Sequence, residues 1–223
     1  MREIVLDTET TGLEPREGHR LVELGCIELV NHLPTGRTFH SYINPERDMP
    51  EEARRVHGLS ADFLKDFPVF AELVDAFLEF IEESPLVIHN ARFDMGFINA
   101  ELVRAGREPL PATRAVDTLT LAQRRFPNAP ASLDALCRRF GVDNSSRTQH
   151  GALLDSELLA EVYLHLLGGR QTDLALAAPA RRAMAQAAQA TRQRPARVFE
   201  PNAEELAAHA AFVAKLENAV WLM

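Results

Sequence analysis

The chain has 223 residues and a formal net charge of −8, with 46% hydrophobic and 25% charged side chains. That length suits one domain of ordinary size plus a tail, and the composition is that of a soluble globular protein. No apolar run approaches the length of a membrane span, and the first strand-like run begins within a few residues of Met1, so neither a membrane anchor nor a signal peptide is expected. Cys26 and Cys137 lie in apolar segments and read as buried free thiols in a reducing cytosol. Residues 171–223 hold six Lys/Arg and five Asp/Glu, a sum of +1, which leaves −9 for residues 1–170. A protein that grips nucleic acid unaided usually carries a basic face. A nucleic-acid substrate would therefore bind weakly here and be delivered by a partner.

Ile4-Val5-Leu6 is a short apolar run followed at once by Asp7 and Glu9. In an extended chain residues i and i+2 share a face, so two carboxylates stand side by side at the end of a buried strand. Like charges that close raise each other's pKa, and hard oxygen ligands of this kind suit Mg²⁺ or Mn²⁺. A strand cap followed by a Thr-Thr-Gly turn accounts for the segment equally well. After a polar turn at 13–20, residues 21–31 and 37–43 read as strands joined by a hairpin around Pro34-Thr35-Gly36. Residues 44–50 are loop, and short helical pieces break at His57-Gly58 and restart at Ser60, an N-cap.

Phe70, Leu73, Val74, Phe77, Leu78 and Ile81 recur at helical spacing and predict a helix over 69–83. Leu86-Val87-Ile88 reads as a short buried strand running into His89-Asn90-Ala91-Arg92-Phe93-Asp94. A helix follows to about Ala105, with Gly106 as its stop. Val116 sits on a last short strand ending at Asp117-Thr118, and helices are expected at 118–125, 132–140 and 152–167. This order predicts an α/β domain, a mixed, mainly five-stranded sheet flanked by helices. Sites in such sheets gather at the carboxyl ends of strands, so Asp7, Glu9 and Asp94 can converge.

The domain is expected to span 1–170. A short mixed segment occupies 171–176 and a flexible linker 177–200, whose residues 177–197 hold five Arg and no acid. In the tail, 201–223, Asn202 with Glu205 resembles a capping box. Leu206, Ala210, Val213, Leu216 and Val220 mark one face of a helix over 203–220, which reads as docking on a partner.

Taken singly, Asp94 is an acid in a first helical turn, Asp155 a surface acid and His150 a loop histidine. Three patterns nevertheless occur in order: Asp7-Thr8-Glu9-Thr10-Thr11-Gly12, His89-Asn90-Ala91-x-Phe93-Asp94, and His150-x-Ala152-x-x-Asp155. Over roughly residues 1–168 this resembles the DEDDh group of 3′→5′ exonucleases, which have an RNase H-like fold. A closer resemblance, to the epsilon-subunit family of bacterial DNA polymerase III, rests on Ser132-Leu133-Asp134-Ala135-Leu136-Cys137, Asp143-Asn144-Ser145, His150-Gly151-Ala152-Leu153-Leu154-Asp155, Ala160-Glu161-Val162-Tyr163-Leu164 and the layout of the tail.

The resemblance implies a proofreading exonuclease that acts on the 3′ end of DNA, single-stranded or frayed, with two divalent ions, Mg²⁺ or Mn²⁺, about 4 Å apart. By resemblance Asp7 bridges both ions, Glu9 and Asp155 complete the tighter site, Asp94 supports the second ion, and His150 is the general base. Thr8, Glu52, His57, Asn90, Phe93 and the backbone near Thr10 and Leu13 would border the terminal nucleotide, and Arg54-Arg55 would attract phosphate. Gln171, Leu174 and Leu176 resemble a sliding-clamp (beta) peptide. The terminal helix with Trp221 would dock on the catalytic (alpha) polymerase subunit, which implies a cytoplasmic, nucleoid-associated protein. A small accessory subunit on the exonuclease domain is left open. Two other readings also stay open. One is a stand-alone DEDDh RNase or oligoribonuclease, against which the linker and terminal helix argue. The other is a clamp–polymerase adaptor with incidental catalysis, against which the full set of five site residues argues.

Overall fold

Ile4, Val5 and Leu6 are wholly buried because β1 (Arg2–Thr10) is the middle strand of a five-stranded sheet. The computed structural model describes residues 1–145, 147, 149–169 and 201–215, which belong to two units, Met1–Gln171 and Thr172–Met223. In the first unit β2 (Leu21–Val30), β3 (Leu33–Tyr42), β4 (Leu86–Ile88) and β5 (Ala115–Asp117) complete the sheet, in the order β3-β2-β1-β4-β5. β1 runs antiparallel to β2 and parallel to β4. Its helices are α1 (Glu51–His57), α2 (Ala61–Leu64), α3 (Phe70–Ile81), α4 (Ala91–Arg104), α5 (Thr118–Arg125), α6 (Leu133–Phe140) and α7 (Ala152–Leu166).

Strand alternation sorts the side chains of β1 between two cores. Ile4 and Leu6 join Phe77 of α3 and Phe97 and Ile98 of α4. Val5 joins Leu136 of α6 and Leu159 and Val162 of α7. The same alternation puts Asp7 and Glu9 on the α7 face and Thr8 on the α4 face. β4 pairs with β1 only at Ile4 and Val5. The carboxyl half of β1 therefore has no strand on that side, and a crevice opens at the switch in strand direction.

α7 lies close against the sheet because Gly25 has no side chain. A Cβ at Gly25 would overlap the backbone of Ala152 and Leu153, and the hydroxyl of Ser156 donates to the Gly25 carbonyl at 3.1 Å. Farther along α7, the Tyr163 hydroxyl donates to the buried Glu3 carboxylate at 2.7 Å.

Two sequence expectations need correction. The β2–β3 hairpin turns at Asn31-His32, both left-handed with φ of 52° and 65°, and not at Pro34-Thr35-Gly36. Leu33 already pairs with Val30. Asn tolerates the left-handed region, and Pro34 is admitted because β3 is an edge strand. A register shift between Ile27 and Leu29 absorbs the mismatch. Second, β1 continues to Thr10, so Asp7 and Glu9 lie within the strand. Pairing with β2 holds it extended, through Asp7↔Gly25 and Glu9↔Glu23.

Of the second unit, α8 (Ala203–Val213) is described, with the expected reciprocal cap between Asn202 and Glu205 at 2.9 Å in each direction. The clamp-like residues Gln171, Leu174 and Leu176, the linker and the end of the terminal helix lie outside the described residues. Among the described residues no helix is long and apolar enough to cross a membrane.

Candidate active site

A cavity of about 860 Å³ opens at the carboxyl end of β1, and Asp7, Glu9, Asp94, His150 and Asp155 all line it. They come from three elements and one loop. Asp7 and Glu9 project from β1, and Asp94 from the first turn of α4. Asp155 lies in the first turn of α7, and His150 precedes that helix, its backbone N–H donating to the Val56 carbonyl at 3.1 Å. Thr8, Glu52, His57, Asn90 and Phe93 line the same cavity. The Thr8 hydroxyl donates to Asp94 at 2.7 Å. His57 is 5% exposed, its Nδ1 accepts from the Leu59 N–H at 3.1 Å, and its Nε2 has no partner among the described residues.

Crowding and burial set the electrostatics. Burial pushes Asp7 well above the ordinary carboxylate range, and the neighbouring Asp94, Glu9 and Asp155 add to the shift. Glu9 is raised to about 8, by burial first and then by Asp155 and Glu23. Asp94 is raised to about 7 by burial, against the hydrogen bond from Thr8. Burial alone would raise Asp155 too, but hydrogen bonds from His150 and Arg147 outweigh it and hold this carboxyl low. Glu9, His150 and Asp155 offer donor atoms within 4.8 Å of one another. Four mutually repelling carboxylates in one pocket are a poor arrangement unless cations join them. Oxygen donors suit hard divalent cations, and this donor set is chemically of that kind.

Arg147 was not singled out from the sequence. It donates to both oxygens of Asp155 at 2.6 and 2.7 Å and to Asp134 at 2.7 Å. Its Nη2 also lies 2.7 Å from His150 Nδ1, and its side chain is 8% exposed. His150 Nδ1 stands 3.3 Å from Asp155. That nitrogen has either one lone pair or one proton. It can accept from Arg147 or donate to Asp155, and only the second form leaves Nε2 able to take a proton. Asp117 also emerges from the structure. Its carboxylate accepts from the backbone N–H of Asn90 at 3.1 Å and of Leu119 at 3.0 Å. This pins the left-handed turn at Asn90, φ 64°, from which α4 carries Asp94. Arg54 and Arg55, expected to face phosphate, lie outside the cavity lining and stand near Glu51 at 3.6 and 3.5 Å. Glu52, Ala53, Val56 and His57 occupy the cavity side of α1, and helical spacing turns the two arginines elsewhere.

The sequence profile of the exonuclease family RNase_T matches residues 4–163. The chain is 59% identical over 175 residues to the DNA polymerase III subunit epsilon of Rickettsia felis, covering 77% of this chain and 76% of that one. It is 46% identical over 224 residues to the corresponding subunit of Escherichia coli K12, covering 94% and 91%. Among solved structures, the nuclease domain of 3′hExo, a DEDDh family member bound to rAMP, has a similar fold, with a TM-score of 0.64 at 19% identity over 75% of this chain and 92% of that one. Exonuclease X in complex with 5′ overhanging duplex DNA has a TM-score of 0.58 at 20% identity over 74% and 90%.

Proposed function

Because this chain belongs to the epsilon-subunit family of DNA polymerase III, within the RNase_T exonucleases, we propose that it removes misincorporated nucleotides from DNA 3′ ends using two ions held by Asp7, Glu9, Asp94 and Asp155. The chain is a metal-dependent 3′→5′ exonuclease of the proofreading kind. The observation that carries the residue assignment is the convergence of these four acids and His150 on one cavity.

When bound, the ions polarise the attacking water and offset charge on the phosphoryl and leaving 3′ oxygens, the chemistry that Mg²⁺ or Mn²⁺ supplies best with oxygen ligands. Asp7, Glu9, Asp94 and Asp155, which line one cavity, would hold the ions. In the form whose Nδ1 donates to Asp155, His150 would present a basic Nε2 to take the proton of the attacking water. Thr8 keeps Asp94 in place through its hydroxyl. Glu52, His57, Asn90 and Phe93 border the terminal nucleotide.

The substrate is DNA and the working partner a polymerase. The finer assignments are that the tail docks on the catalytic (alpha) subunit and that Gln171, Leu174 and Leu176 bind the sliding clamp (beta), in the cytoplasm at the nucleoid. Replacing Gln171 and Leu174 by Ala is expected to remove clamp binding in a pull-down, and retained binding would contradict the clamp assignment.

The test of the function is release of mononucleotides from 5′-labelled DNA and RNA primers with mispaired 3′ ends, in Mg²⁺ and then in EDTA. Fast, metal-dependent shortening of the DNA alone is expected. Preference for RNA, or no release, would overturn the reading.

A further inference from the structure

A second cavity, of about 600 Å³, adjoins the first and shares Leu13, Asn90 and Phe93 with it. One wall is a row along α4. Arg92, Gly96 and Ala100 follow at four-residue intervals and so lie one above another. The small side chains of Gly96 and Ala100 leave the floor low. The opposite wall is the segment from Leu13 to Arg16, which follows β1 directly. Arg104, the next member of the row, ties the two walls together by donating to the Pro15 carbonyl at 3.4 Å, while it also bonds Glu101 at 3.1 Å. The result is a trough that leads out of the catalytic cavity.

Its charge is unlike that of its surroundings. Residues 1–170 sum to −9, yet Arg16 and Arg92 flank the trough, both exposed, and neither pairs with an acid among the described residues. Glu14 lines the trough as well, its carboxylate accepting from the Arg16 backbone N–H at 3.3 Å, so the lining holds two cations against one anion. At the threshold Leu13 is 83% exposed and Phe93 half-buried, so both offer apolar surface to a base.

We propose that this trough carries the sugar–phosphate backbone of the DNA strand immediately 5′ to the scissile bond, with Arg16 and Arg92 contacting its phosphates. The inference rests on the exonuclease reading, which puts the terminal nucleotide beside Phe93 and Asn90, where the trough begins. A polyanion entering an acidic domain needs local cations along its path, and these two arginines stand on it. The polar walls suit a backbone better than a run of bases.

The experiment measures KM of the full chain for oligothymidylates of two and of five nucleotides in Mg²⁺, across a salt series. The wild-type KM should fall as the substrate lengthens, because only the longer chain reaches the trough. In Arg16→Ala/Arg92→Ala that gain should vanish, raising the pentamer KM about tenfold, a change of the size expected for two charge-assisted phosphate contacts. The dependence of log(kcat/KM) on log salt should become shallower by about 0.7 for each arginine removed. Arg16→Lys/Arg92→Lys should retain most of the length gain. A double-alanine variant with the wild-type length gain and salt slope would overturn the proposal. A wild-type chain that shortens no substrate would instead remove the exonuclease reading, and this inference with it.

Discussion

Asp7 and Gly25 stand opposite each other across the β1–β2 ladder. The residue paired with the central acid is thus the one whose missing side chain lets α7, and Asp155 with it, approach. Gly25→Ala is expected to cost about 1–3 kcal/mol, the usual range for overpacking, read as a lower urea midpoint. Exonuclease rate should fall about 100-fold, because displacement of a catalytic group by an ångström is enough for that. Unchanged midpoint and rate would show that α7 does not need this contact.

The raised carboxylates set a pH dependence. Glu9 moves from an ordinary 4.5 to about 8 and Asp94 from 3.8 to about 7. A group whose folded pKa is raised contributes its stability below the unfolded value and loses it as pH climbs through the folded one. In EDTA the melting temperature should therefore fall between pH 5 and pH 9. Divalent ions need the deprotonated carboxylates, so the gain in melting temperature on adding Mg²⁺ should be larger at pH 8.5 than at pH 6. Equal gains at both would contradict the shifts.

Arg147 supplies the positive charge that Asp155 faces inside the cavity. Arg147→Met keeps much of the length and removes the charge. In EDTA it should destabilise the fold by about 2 kcal/mol, the scale for loss of charged hydrogen bonds at a largely buried site. Added Mn²⁺ should shrink that deficit, since ions relieve the same repulsion. Urea titrations with and without Mn²⁺ measure it, and a deficit indifferent to Mn²⁺ would make Arg147 a loop anchor only.

His150→Gln separates a base from a ligand. If His150 is the general base, its loss should lower kcat by about 10²–10⁴-fold and leave Mn²⁺ affinity by calorimetry within about threefold of wild type, less than 1 kcal/mol. A parallel loss of Mn²⁺ affinity would make His150 an ion ligand.

The helices were legible because each depends on local chemistry, and the three motif segments because together they resemble a known family. Phe70 to Ile81 carries a helical period, Ser132 caps α6 by accepting from Ala135 at 3.3 Å, and Ile4-Val5-Leu6 alternates between two cores. What escaped depends on partners remote in sequence. Nothing near Arg147 shows that a loop arginine will enter the cavity, because its partner Asp155 is placed by α7 and its other partner Asp134 by α6. Gly25 reads as an ordinary strand residue until α7 lies over it, and Asp117 as a strand end until Asn90 comes beside it. The hairpin was misplaced for a related reason: Pro and Gly are strong turn signals, and only the edge position of β3 tells that Pro34 can stay in a strand.

The contacts of α7 with β1 also fix a length. Asp155 and Tyr163 are eight positions apart, about 12 Å of helix at 1.5 Å per residue. Glu3, which Tyr163 meets, and Asp7, which shares a cavity with Asp155, are four apart, about 13 Å of strand at 3.3 Å per residue. The two elements behave as matched rulers fastened at both ends. A single-residue insertion between Asp155 and Tyr163 would turn one end by about 100° relative to the other, and one between Glu3 and Asp7 would flip the acid to the opposite face of the sheet. An insertion or deletion inside either stretch should therefore misplace one of these contacts, while the connecting segments can absorb a change of length.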